Sequence, residues 1–319
     1  MGEAGLRSPL MAVVDEFRAW WKTHQSGLET ANPVRSPLFH YTDANGLAGI
    51  IKNQEMWFTS TFHLNDPSEL AYGNEIAHAI LRKESEDGDK AIKFFCARLE
   101  DVLLRQVENA FGFFVTSFSR SQDELGQWRA YADDGRGFAI GLAPRLFQIE
   151  DKRNLKPNEL VWVADVRYDR NNAENRQRDA IRRAIGAIKR VVAAGKISSE
   201  AEGHEFLKKM GIELTASILW NSITTKHSAY QNEAETRLLI VNDSTKLAPY
   251  IETRTRGSNL IPFVKSPMPI RADGSITEIV IGPSATLDAE DAVRSLLLSQ
   301  GLPLTIPVRR SDIPYRSNK

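Results

Sequence analysis

Cysteine is almost absent from this chain: Cys96 is the one thiol in 319 residues. A single thiol excludes an intramolecular disulfide framework and suits a reducing compartment, so a cytoplasmic protein is expected. Long apolar runs are also missing. No stretch approaches the roughly 18 apolar residues needed to span a membrane, and the opening MGEAGLRSPLMAVV has too short an apolar run for a secretory signal. Net charge is lacking as well. Lys+Arg and Asp+Glu both total 41, so no global field draws the protein to nucleic acid or acidic lipid, and any polyanion site has to be local. There is no glycine-rich phosphate loop, zinc-ligand spacing or nucleophile elbow; Gly135 and Gly137 lack the strand-to-helix context of a dinucleotide fingerprint. No internal repeat is visible.

The remaining composition is that of an ordinary globular protein, 42% hydrophobic and 26% charged. The pattern is mixed α+β, read as one domain over residues 1–319. Apolar residues at helical spacing predict a leading helix over 9–24. Residues 38–41 read as a strand, Thr42-Asp43 as a cap for a helix over 44–52, and Trp57 to Ser60 as a second strand. Asn65 and Asp66 are suited to cap a helix running to Arg82, with Glu69 in its first turn. A helix over 90–110 then precedes an aromatic, β-branched strand over 112–119. Trp128 and Tyr131 fall on a short helix, and further strands are expected at 138–141, 160–168, 236–242, 260–264, 277–281 and 304–308, with a helix over 289–300. Two mixed-charge helices within 172–222 are expected as an inserted surface pair. Their cluster Arg178, Arg182, Arg183, Lys189 and Arg190 is expected to be a solvated face. Cys96 reads as inert packing.

Four segments contain residue types suited to chemistry. In the first, His40 sits at a strand end, where one ring nitrogen can bind a hydroxyl while the other is held by backbone; a satisfied, half-buried histidine is the alternative. The second holds Phe58 and Thr59 ahead of Asn65 and Asp66. In the third, Ser117 and Ser119 share a strand face and Trp128 and Tyr131 follow, either stacking on a planar ring or packing in the core. The fourth runs from Tyr230 to Val241. If it is extended, Glu233, Glu235 and Arg237 share one face, as a binding constellation or as a solvated strand with cross-strand ion pairs.

Taken together, His40-Tyr41-Thr42, Trp57-Phe58-Thr59-Ser60 with the following Asn65-Asp66, Ser117-Phe118-Ser119 with Trp128, and Glu233-x-Glu235-x-Arg237 resemble the bacterial family called domain of unknown function 2971 (DUF2971), scattered over about residues 38–241. The same layout is distantly similar to mono-ADP-ribosyltransferases. That resemblance implies mainly antiparallel sheets around a central cleft, flanking helices and NAD as co-substrate. It implies that His40 binds a ribose hydroxyl, Thr42 contacts the adenylate side, and Tyr41, Phe58 or Tyr72 flanks nicotinamide. Thr59, Ser117, Ser119, Trp128 and Tyr131 would line the same site. Glu235 would hold the nicotinamide ribose and Glu233 orient the acceptor, while Arg237 or Arg129 neutralises pyrophosphate. Neither a metal nor a covalent intermediate is required. A serine-threonine-serine middle strand is missing, Ser117-Phe118-Ser119 being the nearest segment. The implied function is NAD-dependent ADP-ribosyl transfer to a macromolecular or small acceptor, in the setting of an intracellular toxin or phage-defence effector. The rival is a non-catalytic nucleotide or nucleic-acid binding module of the same fold; a nuclease is disfavoured by the want of a metal-carboxylate cluster.

Overall fold

A computed structural model describes residues 9–31, 33–64, 68–103, 111–148 and 154–317. It is α+β, about 51% helix and 23% strand. Among the described residues ten strands form one mixed, mostly antiparallel sheet. Its organising strand is β3, Phe111–Ser119. One edge of β3 pairs along its whole length with β6, Glu235–Asp243, whose far edge carries β5, Val161–Asp165. The other edge is shared. β1, Leu38–Thr42, pairs through Phe39 with Ser119, whereas β2, Glu55–Ser60, pairs through Thr59 and Ser60 with Val115 and Phe114.

From that edge two branches lead away. β1 continues through β4 (Phe138–Leu142) and β9 (Ile276–Ile281) to β10 (Val308–Arg310), and β2 through β8 (Asn259–Pro267) to β7 (Ile251–Arg256). A cleft opens where β1 and β2 part along β3. Helix α2, Ala44–Asn53, connects these two strands and borders the cleft; Asp43 caps it by accepting from the Gly46 N–H at 2.7 Å.

One face of the β3–β6 layer is covered by helices α1 (Pro9–Ala31), α3 (Ser68–Glu86), α4 (Lys90–Leu103), α6 (Arg170–Ala193) and α7 (Glu200–Ile223). Phe113, Val115 and Leu239 meet them there. On the opposite face Phe58, Phe114, Leu238 and Ile240 belong to a second core that also includes buried residues of α2 and of α8 (Ala289–Ser299). The short helix α5 is Leu125–Tyr131.

The expected surface pair within 172–222 is corrected by this layering. From Met210 to Ile223 nearly every residue of α7 is buried except Ile212, and the helix packs against α1, α3, α4 and α6. Its sequence from Leu214 to Ile223 is apolar or small on every side, and a helix without a polar face belongs inside. Buried Glu213 is satisfied by Arg18 Nε at 2.7 Å and Trp21 Nε1 at 3.0 Å. The basic cluster on α6 does face solvent, with Arg182 on Glu84 at 2.7 Å and Arg183 over the Trp20 ring. Cys96 is buried within the same helical layer. Asn65 and Asp66, expected as caps, and the 104–110 end of the predicted helix lie outside the described residues.

Candidate functional site

A cavity of about 720 Å³ fills the gap between β1 and β2, within the roughly 300–1,000 Å³ range of small-molecule and cofactor sites. His40, Tyr41, Thr42, Thr59, Ser117, Tyr131, Glu233 and Glu235 line it, joined by Asn45, Gly46, Gly49, Trp57, Gln127 and Arg254. Residues far apart in sequence, from His40 to Arg254, therefore share one hollow, because β3 brings β1, β2 and β6 together.

Ser117 anchors the histidine end of the constellation. Its carbonyl lies 2.9 Å from His40 Nδ1. A carbonyl only accepts, so Nδ1 bears the hydrogen and Nε2 of the neutral ring is an acceptor. Burial lowers the His40 pKa below its ordinary 6.5, against the opposing pull of the Ser117 carbonyl, which keeps the ring neutral at physiological pH. The Ser117 side chain is also the smallest of the influences that lower the Glu235 pKa.

Glu235 is 6% exposed. Burial by itself would raise its pKa, but the charge and hydrogen bonds of Arg237, then Lys226 and the Ser117 hydroxyl, outweigh that and hold it below the ordinary carboxylate value. Arg237 grips both carboxylate oxygens, Nε to Oε1 at 2.6 Å and Nη2 to Oε2 at 3.0 Å, and its Nη1 donates to the Ile223 carbonyl at 2.6 Å. Lys226 Nζ sits 2.5 Å from Glu233 Oε2 and 3.5 Å from Glu235 Oε2. One buried carboxylate, Glu235, and one partly buried carboxylate, Glu233, are thus interleaved with two buried cations, a formally neutral cluster at the floor of the cleft.

Glu233 arrives by a route that simple strand periodicity does not describe. Residues Ser228–Glu233 form a 3₁₀ turn, Ala234 is left-handed (φ 44°, ψ 49°), and β6 begins only at Glu235. Only Glu235 and Arg237 share a strand face; Glu233 returns to them through the kink, which Ser119 fastens by donating to the Glu233 carbonyl at 2.7 Å.

Several expected ligand residues are placed elsewhere. Phe58 is fully buried in the core on the other side of the sheet, since alternation along β2 turns Trp57 and Thr59 to the cleft and Phe58 away. Tyr72 lines a separate groove with Glu75 and Arg170, its ring edge-on to His227. Trp128 is fully buried, donating Nε1 to Asp123 Oδ1 at 2.6 Å and packing edge-on against Tyr41. Ser119 is 1% exposed and committed to backbone. Arg237 is spent on Glu235 and so does not serve as a free phosphate ligand, and Arg129 lies 6.0 Å from the Tyr315 ring centroid rather than in the cleft. Gly137 is a packing residue, because a Cβ there would stand 2.2 Å from the Thr42 carbonyl oxygen.

Lys226, Gln127 and Arg254 were not legible as site residues: nothing in their local sequence separates them from surface polar residues. Gly49 did leave a signal, a glycine in a helix interior with no capping role.

No curated protein and no solved structure matches the chain. A family model matches a region that starts later than the motifs suggest: it takes in α5, β4, β5, α6, α7 and the first residues of β6, with Gln127, Tyr131, Lys226, Glu233 and Glu235 of the cleft but neither His40 nor Ser117. Over residues 127–238, then, the chain matches the family described as protein of unknown function, DUF2971.

Proposed function

We propose that the cleft binds NAD and that the protein is an NAD-dependent mono-ADP-ribosyltransferase. One observation carries this reading: a neutral imidazole, held through Nδ1 by the Ser117 carbonyl so that Nε2 is an acceptor, and a carboxylate held ionised by Arg237 and Lys226 line a single cofactor-sized cleft. In this reading His40 Nε2 accepts from a ribose hydroxyl, Thr42 borders the adenylate side, and Glu235 faces the nicotinamide ribose. Of the three rings considered for nicotinamide, Tyr41 alone lines the cleft, and the more exposed Tyr131 lines it too.

When the glycosidic bond breaks, its electron pair leaves with nicotinamide and positive charge develops on the ribose. A fixed carboxylate stabilises that charge without reorganising. The acceptor nucleophile then bonds to the anomeric carbon and gives its proton to Glu233. A protein or nucleic-acid acceptor would suit a toxin or defence effector. The test is incubation of the purified protein with NAD, following nicotinamide release and the ADP-ribose mass increment on candidate acceptors. Release above a no-protein control is expected; its absence from folded protein that nevertheless binds NAD would leave the rival reading.

That rival, a nucleotide-binding module without turnover, is favoured by the occupancy of both Glu235 oxygens by Arg237. Both readings predict the same outcome at Gly49, where a Cβ would meet nothing within 4 Å. Gly49→Leu should raise helix stability by about 0.5–1 kcal/mol, because glycine is a poor helix-interior residue. Its side chain would fill the cleft, so NAD affinity should fall at least tenfold as measured by calorimetry. Unchanged affinity would place the ligand elsewhere.

A further inference from the structure

The β7 wall of the cleft holds a partly buried cation, Arg254. Arg254 is half-buried and lines the cavity; its Nη2 donates to Thr59 Oγ1 at 2.9 Å, and its guanidinium lies 5.6 Å from the Trp57 ring centroid. Among the described residues it makes no ion pair. Other cations of the sheet are treated differently: Lys265 has Glu252 at 2.8 Å, Arg237 has Glu235, and Arg120 has Asp165 at 2.6 Å.

Asp43 is the acid whose field reaches Arg254, but its Oδ1 is engaged in capping α2. Burial, and then the positive charge of Arg256, lower the Arg254 pKa from its ordinary value. A guanidinium partly removed from water with no counterion is destabilised until an anion arrives. Thr59 and the Trp57 and Phe263 rings hold the group in place, so little side-chain entropy remains to be lost on binding.

We infer that Arg254 forms a phosphate subsite of the cleft, taking the diphosphate of a nucleoside diphosphate or dinucleotide. Its Nε and Nη1 have no hydrogen-bond partner among the described residues, and a guanidinium edge matches two phosphate oxygens. Trp57, 40% exposed and stacked on Phe263 at 4.4 Å, stands beside this subsite as a surface on which a base can lie. The subsite rests on the proposed NAD reading only for the identity of the larger ligand, and it moves the phosphate contact from Arg237 to Arg254.

The experiment is calorimetric titration of the wild-type protein, Arg254→Ala, Arg254→Lys and Thr59→Val with inorganic pyrophosphate, ADP and NAD, thermal midpoints being checked for each variant. Wild type should bind pyrophosphate and ADP; Arg254→Ala should weaken both at least tenfold, and Arg254→Lys should recover part of that because it keeps the charge but not the fork. Thr59→Val, which loses only the hydrogen bond orienting the guanidinium, should show a smaller loss in the same direction. Wild type that binds neither probe, or Arg254→Ala that binds them as wild type does, overturns the subsite. Arg254-dependent binding of ADP with no binding or turnover of NAD would sink the NAD reading and keep the subsite. NAD bound and consumed equally by wild type and Arg254→Ala would do the reverse.

Discussion

Glu235→Gln should lower ADP-ribosyl transfer about 10²–10³-fold, the usual cost of removing one preorganised electrostatic contact to a transition state, while NAD affinity stays within about tenfold. The difference arises because charge on the ribose develops mainly as the glycosidic bond breaks, so the carboxylate contributes to the transition state far more than to the bound substrate. Glutamine has the same shape and keeps one carbonyl oxygen to accept from Arg237, which limits disturbance of the cluster. Glu233→Gln should impair transfer to an acceptor more than it slows NAD hydrolysis, since in the proposed mechanism Glu233 takes the acceptor's proton. Nicotinamide release and acceptor labelling, followed separately, check both variants. Equal turnover by wild type and Glu235→Gln would remove Glu235 from the mechanism.

The largest effect on stability is expected at Arg237, whose guanidinium is 2% exposed and holds both oxygens of Glu235. Arg237→Met should cost about 3–5 kcal/mol, because it leaves a buried carboxylate with Lys226 as its remaining close cation. The pH dependence follows from the direction of the Glu235 shift. In the wild type its folded pKa lies below the ordinary 4.5, so the stabilisation is fully present above 4.5 and is lost as pH falls through the lower folded value. In Arg237→Met burial is no longer outweighed and the folded pKa rises. The penalty is then greatest at neutral pH and shrinks as acidification protonates Glu235, so the two stability curves converge. Urea unfolding from neutral to mildly acidic pH measures this. A loss below about 1 kcal/mol at neutral pH would mean that the pair behaves as a surface salt bridge.

Elements whose hydrophobic pattern is local were legible. β1, α2 and β3 lie within a residue or two of their predicted bounds, since alternation, the Asp43 cap and the β-branched run are decided by neighbours in sequence. β7 was missed. Its Glu-Thr-Arg-Thr-Arg run has no apolar alternation because the strand is exposed at the sheet edge. The predicted strand over 304–308 is displaced to Val308–Arg310, past Pro307, which has no N–H to give to a ladder. The burial of α7 is obscured in the sequence because the charges of its first turns precede an apolar second half.

By itself the sequence determined the α+β class, most of the strands and helices, and the residue types of the cleft, because side-chain period and capping act over a few residues. Only the tertiary structure decided which of those residues meet. Pairing of β1 and β2 with the same edge of β3 opens the cleft, a left-handed Ala234 returns Glu233 to Glu235, and Lys226 reaches both carboxylates from the end of α7. Whether an arginine is spent on a carboxylate, like Arg237, or left facing a cavity, like Arg254, depends on contacts made across the fold, on which local sequence periodicity is silent.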